Sequence, residues 1–189
     1  MNEGTFKLLA NQARGMSPYP DPRFPPSLYY RFLRLLAQNM QPVLSVELGL
    51  CGGGGSFHLA LGWSGGTVVG VDNSDGDSQQ QDNWRFINRL CSNFELWKGD
   101  SVDSAPDIAK QWGLVDILFI DTDHTHDQTL AEWEAWEPFL SDRAVVCFDD
   151  LLRPGMQEAW DEVPWPHKLR LDFLHDGAEF GGGFGVVWR

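Results

Sequence analysis

The chain has 189 residues, of which 42% are hydrophobic and 13% aromatic, so it can bury the core of one globular domain. Its net charge of −13, with a sequence pI near 4.6 and no lysine or arginine run, argues against nucleic-acid and anionic-membrane partners. Cys51, Cys91 and Cys147 are an odd set without CxxC spacing, which speaks against a disulfide framework or structural zinc. The N-terminus lacks a signal-peptide core, and no apolar run approaches the ~20 residues of a membrane span, so a cytoplasmic protein is expected.

In chain order, "PYPDPRFPPS" (Pro18 to Ser27) holds five prolines and reads as an ordered arm or lid leading into a helix from about Leu28 to Asn39. "PVLSVELG" is a strand, followed by a glycine run and a short helix around Phe57 to Leu61. "TVVGVD" is a second strand, then comes the polar stretch "NSDGDSQQQDN" and a helix from Trp84 to Cys91. "FELWKGD" forms a third strand, with a helix near Ala105 to Trp112. "VDILFID" is a fourth, and the helix after it carries Leu130, Trp133, Trp136 and Leu140 at three- and four-residue spacing, a core-facing stripe. "AVVCFDD" is a fifth strand.

Strands alternating with helices predict an α/β fold, a Rossmann-like doubly wound sheet with mostly parallel strands. "HKLRLDFLHDG" and "GGFGVVWR" are two extended runs joined by a glycine-rich turn, which adds an antiparallel hairpin to one edge. The chain reads as a single domain, 1–189. It divides into an N-terminal arm and helix (1–40), a ligand-binding core (41–150) and C-terminal strands (151–189).

"VELGLCGGGGSFHLAL" places Glu47 and Gly49 at the end of the first strand and Gly52 to Gly55 before a helix. Glycine lets a ligand lie against the backbone, and ligands of open α/β sheets bind beyond the carboxyl ends of the strands. Alone, such a turn is equally a flexible connection. Asp72, ending the second strand, can accept both hydroxyls of a ribose rather than simply hold a turn. Asp100 and Ser101, ending the third, can reach the adenine of the same ligand. The spacing is not GxGxxG, and Glu47 disfavours a phosphate while tolerating a positively charged cofactor. S-adenosylmethionine, with its sulfonium and ammonium, fits that description.

Asp121 ends the fourth strand, and Asp149 and Asp150 end the fifth. If those two strands are neighbours, they lie about 4.8 Å apart and carboxylates at both tips can share one ion. An all-oxygen set suits Mg2+, Mn2+ or Ca2+ better than zinc or copper. Adjacent side chains of a strict strand point to opposite faces, so both Asp149 and Asp150 reach one ion only if the chain turns at Asp149. Asp121 could instead cap the next helix, but Asp123, Thr125 and Asp127 are equally able to do that. His124, just past the strand, suits proton removal near neutrality. His126 suits a helix start as well as chemistry. Tyr19, Phe24 and Tyr29 either line an aromatic pocket or pin the arm to the domain. No basic neighbour activates Cys51, which is given no nucleophilic role.

"VELGLCGGGGS", "VVGVD", "KGDS", "FIDTDH" and "VCFDD", in this order, resemble the class I S-adenosylmethionine-dependent methyltransferases. The similarity is to the branch holding the family 24 domains and the macrolide-sugar O-methyltransferases, with catechol O-methyltransferase more distant. It spans roughly Val43 to Asp150. It implies cofactor contacts from Glu47, Gly49, Gly52, Gly53, Ser56, Asp72, Asp100, Ser101 and Asp121. It also implies a divalent metal on Asp121, Asp149 and Asp150, with His124 as base. The expected activity is transfer of a methyl group to a small-molecule hydroxyl. The short lid leaves room for a partner subunit, in a homo-oligomer, to help close the site. Two rival readings are a non-catalytic binding protein of the same fold and a nicotinamide-dependent oxidoreductase.

Overall fold

The computed structural model describes residues 1–17, 23–24, 27–175 and 182–189. Its elements in order are α1 (Glu3–Gly15), α2 (Leu28–Met40), β1 (Leu44–Leu48), α3 (Gly54–Gly62), β2 (Thr67–Asp72), α4 (Ser78–Leu90) and β3 (Phe94–Lys98). They continue with α5 (Ala105–Trp112), β4 (Val115–Ile120), α6 (His126–Trp136), β5 (Leu140–Asp149), α7 (Met156–Glu162), β6 (His167–Arg170) and β7 (Phe184–Trp188).

The sheet runs β3-β2-β1-β4-β5-β7-β6, parallel from β3 to β5 and antiparallel at β7 and β6. The alternation of strands and helices is thus the doubly wound sheet expected, with its antiparallel edge. β1 and β4 are buried along their whole length, so most of their residues are apolar, and the polar side chains they carry, Ser45, Glu47 and Asp116, are buried too. On one face Ile117 and Phe119 meet Phe6, Phe32, Phe57 and Ile87 of α1 to α4. On the other, Leu118 and Ile120 meet Ile108, Trp133, Trp136 and Trp160 of α5 to α7.

The helix α4 starts at Ser78, six residues before the expected start, because Asp77 and Gln80 cap each other's backbone N–H groups at its N-terminus. Neither α1 nor α7 was expected from the sequence. The last extended runs are shorter than read, since Asp172–Leu174 forms a 3-10 turn between β6 and β7. The aromatic residues of the arm divide: Phe24 stacks on Phe57 at 4.3 Å and pins that end, while Tyr29 stacks on His175 at 5.2 Å. Tyr19 lies outside the described residues.

Register brings the strand ends to one edge. Leu48 pairs with Val71 on one side and Ile120 on the other, and Ile120 pairs with Phe148. Gly49, Asp72, Asp121 and Asp149 therefore leave the sheet side by side. At the opposite edge Asp116 is a clamp. It accepts from Arg143, from Ser141 Oγ and from the Val43 N–H, while Arg143 also donates to the carbonyls of Met40 and Gln41. Burial opposes ionisation of Asp116, but these bonds outweigh it and hold its pKa below the usual range.

Candidate active site

A cleft of about 320 Å³ opens at the carboxyl ends of β1 to β4, lined by Gly49, Cys51, Asp72, Asp100, Ser101, Asp121 and neighbouring residues. Gly49 stands at its floor with φ +83, and any side chain there would collide with the carbonyl of Asp121. Only glycine allows β1 and β4 to converge this closely. Asp72 fastens the glycine turn: one carboxylate oxygen accepts from the Cys51 N–H at 2.9 Å, the other from the N–H and hydroxyl of Ser74. Helix α4 holds the same turn from outside, Trp84 Nε1 donating to the Cys51 carbonyl at 2.8 Å.

The predicted cofactor residues fall into two groups. Gly49, Asp72, Asp100, Ser101 and Asp121 line the cleft. Glu47 and Ser56 are buried beneath it, the Ser56 N–H donating to Glu47 at 2.6 Å, and Gly52 and Gly53 lie in the turn before α3, outside the lining. Gly55 is small because Glu47 and Phe119 occupy the space a side chain would need. Burial raises the Glu47 pKa to about 7 against bonds from the first turn of α3, and the charge of Asp72 adds to the rise.

Asp121 and Asp150 face one another across His124, whose Nε2 is 3.6 Å from Asp121 and 3.5 Å from Asp150. The difficulty with adjacent aspartates is resolved one residue later than expected. β5 runs through Asp149, and Asp150 then takes φ 54, which swings its carboxylate to the same side. Burial, then the charges of Glu47 and Asp150, push the Asp121 pKa well above the carboxylate range. Burial, then Asp121 and Asp150, do the same to Asp149. The His124 pKa is lowered, first by burial, with Asp150 opposing.

Two members of this cluster escaped the sequence reading. His175 places Nε2 3.7 Å from Asp149 and 3.5 Å from Asp150, and Asp149, Asp150 and His175 could together hold a metal ion. Arg153 lies 2.6 Å from Asp150 and gives the cluster a basic neighbour. His175 is brought in by the edge hairpin, which no local pattern announces. Arg153 was readable as the residue one turn after Asp150. His126 sits outside the cluster and bridges Asp127 and Glu162 of α7, tying two helices together.

A seven-stranded sheet in this order, with a glycine turn after β1 and acids at the tips of β2, β4 and β5, has the fold of the class I S-adenosylmethionine-dependent methyltransferases. Residues 46–151 match the family 24 methyltransferase domain, and the chain belongs to that family. A search of curated proteins returned no match. Among solved structures, an O-methyltransferase from Bacillus cereus in complex with SAH superposes with a TM-score of 0.71 at 21% identity, covering 100% of this chain and 92% of that one. The cofactor-bound Rv0187 from MTB gives 0.69 at 19% identity over 98% and 88%. The O-methyltransferase TomG from Streptomyces achromogenes, in complex with SAM, gives 0.68 at 17% over 100% and 90%. The chain is a methyltransferase. Among its described residues no helix is long and apolar enough to cross a membrane.

Proposed function

We propose that the chain transfers the methyl group of S-adenosylmethionine to a hydroxyl of a small molecule, with a divalent cation at the tips of β4 and β5. The observation that carries this reading is the position of Asp121, which lines the cleft and also faces His124 and, across it, Asp150. The solved O-methyltransferases similar in fold, two of them with SAH or SAM bound, support the donor and the class of acceptor.

The cluster fits a cation on its own terms. The Asp149 Oδ1 atom is buried without a hydrogen-bond partner, and three carboxylates crowd one another. Asp121, Asp149 and Asp150 would hold the ion, with His175 adding a nitrogen donor that shifts preference from Ca2+ and Mg2+ towards Mn2+. Bound there, a divalent cation supplies the positive charge that offsets the carboxylates and acidifies an acceptor hydroxyl.

The chain's own residues do the rest. Asp72 takes the ribose hydroxyls, and Asp100 and Ser101 bound the adenine. Gly49 keeps the wall beside Asp121 free of side-chain bulk, so donor and acceptor can approach in line. His124 accepts the acceptor's proton at Nε2, which lies between Asp121 and Asp150, and the charge of Asp150 favours the protonated ring against its burial. Asp121→Ala, Asp149→Ala and Asp150→Ala should each weaken metal binding.

Melting temperature measured with S-adenosylhomocysteine or NAD, each with Mn2+, Mg2+ or chelator, tests the reading. Ligand at 100 times its dissociation constant adds about 2.7 kcal/mol. S-adenosylhomocysteine and Mn2+ should each raise the melting temperature. A shift with NAD alone would overturn the cofactor assignment, and indifference to every metal would remove the cation.

A further inference from the structure

Part of the cleft wall is organised by a residue that is not in its lining. Glu132, in the middle of α6, is fully buried. Its Oε1 accepts from Ser101 Oγ at 2.6 Å and from Gln128 Nε2 at 2.9 Å, and its Oε2 accepts from Thr122 Oγ1 at 2.9 Å. Ser101, Thr122 and Gln128 all line the cleft. The nearest groups on the packed elements are hydroxyls and an amide, and no cation is bonded to Glu132 among the described residues. A buried carboxylate kept for this purpose is costly unless its bonds are used.

The donor inventory of these residues is informative. The Ser101 and Thr122 hydroxyls each have one proton, and both go to Glu132. Gln128 Nε2 has two, and they go to Glu132 and to Ser101 Oγ at 3.1 Å. A carboxylate cannot donate, so the amide cannot turn its oxygen towards Glu132 without setting two acceptors against each other. Gln128 Oε1 is thus the uncommitted polar atom of its side chain, and no described residue donates to it. Asp100, also in the lining, uses Oδ1 to accept from the N–H groups of Val102 and Asp103, which leaves its other oxygen open. Among Ser101, Thr122, Gln128 and Asp100, the side-chain donors are all bonded to one another or to Glu132, and acceptors are what remain open.

We propose that Gln128, held in one orientation by Glu132, selects the base of the cofactor. Its Oε1 and the open oxygen of Asp100 accept from the exocyclic amino group of a 6-aminopurine, and a 6-oxopurine sets its own acceptor against them. Gln128 is a specificity residue in contact with the cofactor, and Glu132 is a positioning residue acting through it. This rests on S-adenosylmethionine as the donor and adds what distinguishes it from its deaminated counterpart. A site built around hydrogen bonds to a particular group discriminates strongly against analogues lacking it, because its own polar groups are left unpaired.

Calorimetric titration of the whole chain with S-adenosylhomocysteine and with S-inosylhomocysteine tests the proposal. The unaltered chain should bind the adenosyl compound at least about tenfold more tightly, the value of one buried hydrogen bond. Gln128→Met should lose most of that ratio by weakening the adenosyl compound. Glu132→Gln should lose it too, since an amide can donate as well as accept and no longer fixes the orientation of Gln128. A role for Glu132 in stability alone would lower melting temperature and leave the ratio intact. Should Glu132→Gln fail to fold, Gln128→Met decides alone. Equal binding of both compounds by the unaltered chain, or an unchanged ratio in Gln128→Met, would overturn the inference while leaving the cofactor reading in place. Binding of neither compound would overturn the cofactor reading itself.

Discussion

Asp150 adopts φ 54, a conformation rare outside glycine and asparagine or aspartate, and that rotation determines where its carboxylate goes. Without it, alternation along β5 would place Asp149 and Asp150 on opposite faces of the sheet. Gathered together, the aspartates are a cost to the fold in the absence of a cation. Asp121→Asn removes one of the mutually repelling charges. In chelator it should raise the melting temperature by a few degrees, about 1 kcal/mol corresponding to 2–4 °C at this chain length. In Mn2+ that gain should vanish, because the ion has lost a ligand. A melting temperature in chelator below that of the unaltered chain would contradict the repulsion.

Glu47 gives a separate test through pH. Its pKa rises from 4.5 to about 7, so the folded chain holds this proton more tightly than the unfolded one. Its stabilising contribution is complete below the ordinary carboxylate pKa and is lost as pH rises through about 7. Glu47→Gln cannot ionise, so its melting temperature relative to the unaltered chain should climb between pH 5 and pH 8. A difference that stays flat across that range would mean Glu47 is charged throughout.

At the scale of elements, legibility followed how local the determining interactions are. The central strands were readable as short, mostly apolar runs bounded by glycine or polar turns, although Ser45, Glu47 and Asp116 interrupt them. The pairing of β4 with β5 was a condition of the sequence reading and not a result of it, and the parallel register of the two strands meets that condition. The start of α4 was misplaced because "NSDGDSQQQDN" is polar throughout, and only the Asp77–Gln80 reciprocal cap marks the boundary. The helix α1 did carry a signal, with Phe6, Leu9, Ala10 and Ala13 on one face and Asn2 as its cap. The clamp at Asp116 joins β4 and β5 to the end of α2, and Arg143 is half exposed, so its ion pair is partly screened. Asp116→Ala should cost about 2 kcal/mol by urea denaturation, mostly from the Val43 N–H and Ser141 hydroxyl left without an acceptor. A loss below about 0.5 kcal/mol would show that water replaces those bonds.

For the whole molecule, the edge hairpin is where sequence reasoning ran out. It was foreseen as two strands, yet its consequence for the site was not, since His175 approaches Asp149 and Asp150 only after β6 and β7 have folded back beside β5. Glu132 was hidden differently. It lies among Trp133 and Trp136 on a helix read for its apolar stripe, and its partners are Gln128 of the same helix and Ser101 and Thr122 from just beyond β3 and β4. The cleft and the acid cluster thus draw on most of the sheet's edge and meet at Asp121.

That meeting is the central claim, and paramagnetic broadening measures it directly. With S-adenosylmethionine carrying a 13C-labelled methyl group bound to the chain and no acceptor present, Mn2+ should broaden the methyl resonance strongly. Chelator, or Asp121→Asn, should restore it. A methyl signal that stays sharp while Mn2+ is bound would place the ion away from the donor and contradict the account.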